Sequence, residues 1–147
     1  MPSSRELRKG RVSASGQIYL LTFVTHGRKP RFKDLFCARL MVRTLMSSRH
    51  TETLAFVVMP DHVHWLAQLL EERELSNAVQ VIKSVSAHRL NKYLGCTGKV
   101  WQDGFHDHAI RCEEDIKDVA RYIVANPIRA GLVKSVRDYP HWDAAWF

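Results

Sequence analysis

Apolar segments rich in aromatic and β-branched residues predict the strands of this chain. The segment 17–25 (QIYLLTFVT) has this composition and predicts a first strand. Two further apolar segments, 53–59 and 62–69, are separated only by Pro60 and Asp61. Because proline and aspartate are strong turn formers, these two segments predict a β-hairpin.

Apolar residues at helical spacing predict three helices. The helices cover 32–48, 75–94 and 113–126, and Gly95 ends the second of them. The segment 100–111 predicts a loop that leads into one more strand. The resulting order β, α, β, β, α, β, α is typical of an α+β fold. We expect an antiparallel, ferredoxin-like sheet with helices on one face and an extra C-terminal helix.

The length of the chain favours one domain. Its 147 residues are enough for one buried core and too few for two ordinary domains. Neither a repeat nor a low-complexity tract interrupts the pattern. We therefore expect a single domain over 1–147, with a loose basic arm at 1–15 and a short tail at 134–147.

Composition excludes several classes of protein. An apolar fraction of 46% excludes a disordered chain, and the odd count of three cysteines argues against a disulfide scaffold. The cysteine usage fits the reducing cytoplasm. Because no stretch has the apolar length of a signal peptide or a spanning helix, we expect no membrane association.

The charge balance indicates an anionic partner. The chain has 22 Lys and Arg against 15 Asp and Glu, which gives a net charge of +7. Residues 1–49 hold eleven basic residues against only Glu6 and Asp34. Clustered positive charge favours nucleic acid as the partner, although basic surfaces also occur on proteins that bind none.

Two histidines on the predicted strand 62–69 are candidate metal ligands. His62 and His64 are separated by one residue, so their side chains leave the same face of the strand, with Cα atoms roughly 6–7 Å apart. Imidazoles at this spacing can converge on one ion. The alternative is an accidental pair, since the chain has eight histidines and His106 and His108 form a second such pair.

Tyr122 and Asn126 are candidate functional residues on the third predicted helix. They are four residues apart, which places them roughly 40° apart on one flank of the apolar stripe of that helix. A hydroxyl and an amide oxygen would then line up at the border of the core. The alternative is structural: the tyrosine ring packs with its hydroxyl in water, and Asn126 ends the helix before Pro127.

Three strings of residues resemble a known family. VVMPDHVHWLAQL resembles the metal-binding strand of HUH single-strand nucleases, which are named for two histidines around an apolar residue. ARYIVANPIRAGLV resembles the tyrosine helix of one branch, the REP-associated tyrosine transposases of the IS200-like superfamily, and VWQDGFHDHAIR resembles that branch's Trp-Gln-x-Gly-Phe-His segment. The strings occur in the family's order, and the resemblance covers about 18–133.

The resemblance implies a DNA-processing enzyme. It implies a single-stranded DNA endonuclease and strand transferase that cleaves near hairpin-forming repeats, with Tyr122 as the nucleophile of a 5′-phosphotyrosine intermediate. His62 and His64 are the implied metal ligands, and Asn126 is the candidate third ligand. The implied metal is Mg²⁺ or Mn²⁺, and imidazole ligands favour manganese. The implied protein is a monomer that acts at the bacterial nucleoid.

Further residues are predicted to contact nucleic acid. Basic residues would contact phosphates, a tryptophan would stack on an unpaired base, and a histidine would position a phosphate; they are Arg8, Arg11, Arg31, Lys83, Arg89, Lys92, Trp101 and His106. The alternatives are solvated charges for the basic residues and packing for Trp101 and His106. Asp103 and His108 depart from the family pattern, in which many relatives have basic residues at these positions.

Two other functions stay open from the sequence. One is a hairpin-binding module without catalytic activity, which would have little use for a tyrosine together with two histidines. The other is a metal-dependent phosphoesterase that uses water as its nucleophile. Such an enzyme would still cleave DNA after the substitution Tyr122→Phe. The tyrosine mechanism instead predicts that this variant loses cleavage but still binds DNA.

Overall fold

A five-stranded antiparallel sheet forms the centre of the computed structural model, which describes residues 16–70 and 73–145. Within these residues the strands lie side by side in the order β4-β1-β3-β2-β5. Every neighbouring pair is antiparallel, as predicted. The strands are β1 (Ile18–Val24), β2 (Thr51–Val58), β3 (His62–Leu69), β4 (His106–Ile110) and β5 (Trp142–Ala144).

The helices follow the predicted order. They are α1 (Leu35–Met46), α2 (Leu75–Leu94), α3 (Glu113–Val124) and the short α4 (Asn126–Arg129). The Asp34 carboxylate caps α1, because its Oδ1 accepts hydrogen bonds from the first backbone amides of that helix. Gly95 ends α2 with a φ of 64°, a left-handed conformation that glycine adopts without strain. These termini agree with the predicted ones to within a few residues.

One face of the sheet packs against α1 and α2. Alternate residues of β1, among them Leu21 and Phe23, point to this face and are fully buried. They pack with Trp65 of β3 and with the apolar sides of the two helices in the larger hydrophobic cluster of the described residues. The indole nitrogen of Trp65 donates to the Thr53 hydroxyl at 3.0 Å, so its polar atom has a partner inside the core.

The opposite face of the sheet packs against α3. The predicted apolar stripe of this helix is buried there, with Ala120, Ile123 and Val124 packed against Leu66 and Val57. The sequence predicted helices on one face of the sheet and an extra C-terminal helix, and the structure has this extra helix on the opposite face, which carries the histidines. An amphipathic helix needs an apolar surface to bury its stripe, and this face is where α3 finds one. The extra helix therefore brings its polar flank to the histidine face.

Part of the predicted tail is a strand. β5 pairs with β2 through Val57 opposite Trp142 and Ala55 opposite Ala144. The Tyr139 hydroxyl donates to the backbone carbonyl of Val58, and burial raises the pKa of this tyrosine to about 12. These contacts attach the segment before β5 to the edge of the sheet.

The predicted basic arm lies outside the described residues. Among the helices described, none is long and apolar enough to cross a membrane.

Candidate active site

His62 and His64 lie side by side on the sheet face that α3 covers. Their ring centroids are 4.9 Å apart, and the ring planes meet at 81°. The hairpin turn at Pro60 and Asp61 starts β3 at His62, so the alternation of the strand sends both imidazoles to the same face. The strand and its register place two nitrogen donors at one end of the sheet, as the spacing predicted.

Each histidine is anchored through one ring nitrogen. Nδ1 of His62 lies 2.7 Å from Oδ1 of Asp61, and Nδ1 of His64 lies 2.9 Å from the hydroxyl of Thr22 on β1. A carboxylate at this distance requires His62 to carry its proton on Nδ1. Nε2 is then the nitrogen left for a further ligand, the arrangement in which histidines bind metals in proteins.

Asp61 is a positioning residue that the sequence revealed only as a turn former. Its second carboxylate oxygen accepts from Nε of Arg28 at 3.1 Å. Burial acts to raise the pKa of Asp61, but the hydrogen bonds from His62 and Arg28 outweigh it and lower the pKa below its ordinary value. The carboxylate therefore stays ionised at neutral pH and holds the His62 ring.

His64 is held neutral by its surroundings. Burial, followed by the positive charges of His62 and Arg129, lowers the pKa of His64 from 6.5 to about 4. A neutral imidazole keeps a lone pair for a cation, whereas a protonated one has none. At neutral pH the His64 ring is in the form that a metal ligand requires.

Tyr122 projects from α3 toward the histidines. Its ring centroid lies 6.3 Å from that of His64, with the planes at 70°, and 51% of the residue is exposed. Exposure of this size fits the predicted position at the flank of the apolar stripe. The candidate nucleophile, Tyr122, is therefore a near neighbour of one candidate metal ligand, His64.

Arg129 braces Tyr122, and the sequence analysis missed it. The guanidinium carbon lies 3.9 Å above the centre of the tyrosine ring, and Nη2 donates to the Tyr122 backbone carbonyl at 2.6 Å. The chain reaches this contact because α3 ends at Val124 and the short α4 turns the backbone, with Pro127 in its first turn. The signal available in the sequence was a lone arginine two helical turns after the tyrosine.

Asn126 is the first residue of the short α4, so it does not end α3 as the sequence predicted. Its side-chain nitrogen is buried and has no hydrogen-bond partner among the described residues. A flip of the amide group exchanges the places of its oxygen and nitrogen. The unpartnered position can therefore hold the amide oxygen, which is able to bind a metal ion. Such a group fits the third ligand that the resemblance implies.

The candidate donor set consists of the imidazoles of His62 and His64 and the amide of Asn126. In the described part of the chain, no group of three or more His, Cys, Asp or Glu side chains could hold a metal ion. A metal bound by His62 and His64 therefore depends on Asn126, or on oxygens of water and phosphate, for its other ligands. The chemistry of these residues fits a divalent cation.

His106 shares the face of the histidine pair. In the sheet, Thr22 pairs with His64 on one side and with His106 on the other, so the three side chains form one row. Two strand spacings separate the backbones of His64 and His106, about 10 Å. His106 is exposed, so the phosphate contact predicted for it stays a prediction that its position allows.

The predicted DNA contacts on α2 have different surroundings. Lys83 donates to the carbonyls of Gln102 and Gly104, and its pKa is lowered by burial, so its ammonium group holds the loop before β4. Arg89 donates to the Thr44 hydroxyl of α1 at 3.1 Å. Lys92 is exposed.

Arg31 and Trp101 are two further residues that were predicted to contact DNA. Arg31 is partly buried, and its Nε has no hydrogen-bond partner within the described segments. Trp101 is only 4% exposed, packs against Phe23 and Phe32, and donates to the Ser86 hydroxyl at 2.9 Å. This corrects the predicted base-stacking contact, because a ring enclosed in the core is not available to a base. Arg8 and Arg11 lie outside the described residues.

Comparisons with known proteins relate this chain to transposases. Residues 13–126 match the family described as Transposase IS200 like. A REP-associated tyrosine transposase of Escherichia coli K12 is 36% identical over 103 residues, which cover 66% of this chain and 59% of that protein. A Haemophilus influenzae protein that provisionally carries the same name is 27% identical over 139 residues, which cover 86% of this chain and 78% of that one.

A solved structure is similar over most of the chain. The structure of a REP-associated tyrosine transposase bound to a REP hairpin has a TM-score of 0.72 and 27% sequence identity, and the match covers 87% of this chain and 76% of that one. The fold, the histidine pair and the neighbouring tyrosine thus occur in a chain whose sequence matches a transposase family over most of its length. The chain belongs to the IS200-like transposase family. The relatives compared are REP-associated tyrosine transposases, and this chain spans 59% of the Escherichia coli relative.

Proposed function

We propose that this protein is a metal-dependent single-stranded DNA endonuclease and strand transferase that uses Tyr122 as its nucleophile. The observation that supports this most directly is the Tyr122 ring 6.3 Å from the His64 ring, on the face that carries both histidines, whose Nδ1 atoms are bonded to other residues. A module that only bound DNA would gain nothing from this arrangement. Membership of a transposase family supports the same conclusion.

The reaction follows from the nucleophile. The Tyr122 oxygen attacks the scissile phosphorus and loses its proton, an O–P bond forms, and the bond from phosphorus to the 3′-oxygen breaks. The 3′-oxygen takes up a proton and leaves as a 3′-hydroxyl, while the 5′-phosphate stays linked to Tyr122. Because one phosphodiester replaces another, the reverse step with a different 3′-hydroxyl transfers the strand without ATP.

Several residues of this chain prepare the site for that step. A divalent cation, Mg²⁺ or Mn²⁺, held by His62, His64 and Asn126 would supply positive charge to polarise the scissile phosphate. Asp61 fixes the His62 ring through Nδ1. Arg129 packs on the Tyr122 ring, and its positive charge would stabilise a phosphate that Tyr122 attacks.

The proposed substrate is single-stranded DNA with a hairpin repeat. The support is the similar transposase that was solved bound to a REP hairpin, together with the net charge of +7 of this chain. We extend the proposal to a monomer that acts on chromosomal DNA in the bacterial cytoplasm. The proposal includes a phosphate contact for His106, which is supported by its position opposite Thr22 in the sheet.

The test is a covalent-adduct assay. The protein is incubated with Mn²⁺ or Mg²⁺ and a 3′-labelled hairpin oligonucleotide from its own genome's repeats, and a denaturing gel is examined for label that migrates with the protein. We expect an adduct that disappears with a chelator and in Tyr122→Phe, while native gels show that this variant still binds the hairpin. Cleavage that survives Tyr122→Phe would instead establish a water nucleophile.

Matched histidine variants complete the test. His62→Gln should abolish the adduct, because the site loses one of its two imidazole donors. His88→Gln, on the exposed surface of α2, should form adduct at the rate of the unchanged protein. A hairpin-specific shift without any adduct under these conditions would favour the binding-module alternative.

A further inference from the structure

A groove between α1 and α2 lies on the side of the sheet opposite Tyr122. Its volume is about 610 Å³. Two aromatic rings and three cationic side chains line most of it, and we call this feature the helix groove. These residues are Phe36, Tyr93, Arg43, Arg89 and Lys92.

The aromatic residues of the helix groove are exposed to an unusual degree. Phe36 is 62% exposed and Tyr93 is 46% exposed, although their rings form a pair with centroids 5.6 Å apart and planes at 32°. A phenylalanine this exposed gains nothing from the hydrophobic core. A flat apolar surface of this kind is suited to stacking against the face of a nucleic acid base.

The charges of the helix groove favour an anion. Arg43 and Lys92 are exposed, and in the described segments no carboxylate forms an ion pair with either of them or with Arg89. Arg89 is oriented by its hydrogen bond to the Thr44 hydroxyl. Asp34 is the carboxylate at the end of the groove. Its Oδ1 accepts the hydrogen bonds that cap α1, and its Oδ2 lies 3.5 Å from the Tyr93 hydroxyl.

The Phe36 end of the helix groove lies near the start of α1, and the chain just before α1 is bonded to the turn that precedes His62. The backbone amide of Phe32 donates to the carbonyl of Pro60 at 3.0 Å. Phe32 lies just before α1, and Pro60 belongs to the turn that precedes His62. Phe36, in the first turn of α1, is therefore four residues along the chain from a contact with the turn that precedes His62.

We propose that the helix groove binds a single-stranded segment of the DNA that is processed at Tyr122. One base stacks on the Phe36–Tyr93 pair, and the adjoining phosphates contact Arg43, Arg89 and Lys92. The identity of this segment as part of the substrate rests on the proposed function, whereas the binding of single-stranded nucleic acid rests on the groove alone. The substrate then contacts both sides of the sheet.

A second copy of this chain is a poorer occupant of the groove. In a two-fold symmetric contact the same patch faces itself, so three cations would oppose three cations. Like charges brought together at an interface are unfavourable, and the groove offers a single carboxylate to compensate them. Single-stranded nucleic acid suits the groove better, because its bases can stack on the aromatic rings and its phosphates can contact the cations.

The experiment measures the affinity of the full-length protein for a fluorescein-labelled oligothymidylate of about 12 nucleotides, within the usual range of single-strand site sizes. The double variant Phe36→Leu/Tyr93→Leu removes the stacking surface but keeps apolar side chains. The expected result is a loss of affinity of about tenfold or more, from the loss of base stacking. Circular dichroism melting curves verify that the variant is folded.

A second double variant tests the charges. Arg43→Gln/Lys92→Gln should weaken binding and lower the slope of log affinity against log salt by about 1.4, since two phosphate contacts are lost. The matched control Lys117→Gln/Lys134→Gln removes two exposed cations outside the groove and should leave affinity and slope nearly unchanged. An oligonucleotide with 5-iododeoxyuridine should crosslink to Tyr93 under ultraviolet light.

Two results would overturn the inference. The first is an unchanged affinity in both groove variants. The second is a concentration-dependent dimer, seen by sedimentation, that the groove variants abolish without any change in oligothymidylate affinity. Binding through the groove by a protein that forms no adduct with hairpin DNA would refute the Tyr122 mechanism and leave the groove assignment standing, so the two failures are distinguishable.

Discussion

Lowering the pH should destabilise the fold through His64. The pKa of this histidine is lowered from 6.5 to about 4 in the folded protein, mainly by burial and further by the charges of His62 and Arg129. Between these two values the unfolded chain binds a proton that the folded chain does not bind. The contribution of His64 to stability is therefore complete above about pH 6.5 and is lost as the pH falls toward about 4.

The two pKa values set the size of the effect. Linkage gives a loss of about 2.5 kcal/mol from this single group between about pH 7.5 and about pH 4.5. This is a large share of the stability of a small domain, which is about 5–15 kcal/mol. Other groups also titrate in this range, so the informative quantity is the difference between the unchanged protein and a variant without the His64 imidazole.

Urea unfolding with a chelator present measures this difference. The free energy of unfolding is determined at both pH values for the unchanged protein, for His64→Gln and for His88→Gln. We expect the pH-dependent loss to be about 2.5 kcal/mol smaller in His64→Gln, and unchanged in His88→Gln, whose side chain is exposed. An equal pH dependence in all three proteins would refute the claim that the fold holds His64 neutral.

Three further predictions follow from single contacts. Asp61→Asn should weaken Mn²⁺ binding by about 10- to 100-fold in isothermal titration calorimetry, because the carboxylate that orients His62 is lost, whereas Asp118→Asn, which affects an exposed pair with Arg121, should not. Arg129→Lys should slow adduct formation by about tenfold, through the loss of its planar contact with the Tyr122 ring, and an equal loss of hairpin affinity would contradict this role. Trp101→Ala should lower the free energy of unfolding by about 3–5 kcal/mol, measured by denaturant titration, since it empties a core position; an unchanged stability would show that the ring is not part of the core.

Local signals were sufficient for much of the fold. The Pro60–Asp61 turn fixed the start of β3 at His62, and Gly95 marked the end of α2. Both signals act within a few residues, so the sequence displays them directly. The relation between His62 and His64 has the same origin, because the alternation of a strand depends on nothing else in the molecule.

Features that depend on distant partners could not be predicted in the same way. β5 has only three residues and no alternating pattern, and it forms because β2 offers a free edge for pairing. Trp101 looked available to a base because nothing nearby in the sequence shows that Phe23 and Phe32 enclose it. The partners of the candidate ligands, such as Thr22 at His64, come from a strand about forty residues away and become visible only when the sheet is formed.

The short connection between β4 and α3 has a consequence for stoichiometry. Only Arg111 and Cys112 join the last residue of β4 to the helix that carries Tyr122. The three steps from Ile110 to Glu113 span at most about 11 Å, and α3 packs on the sheet of its own chain, so we expect no exchange of this helix with a neighbour. Each chain then holds a full set of Tyr122, His62 and His64. An equimolar mixture of the Tyr122→Phe and His64→Gln proteins should accordingly show no rescue of cleavage by complementation.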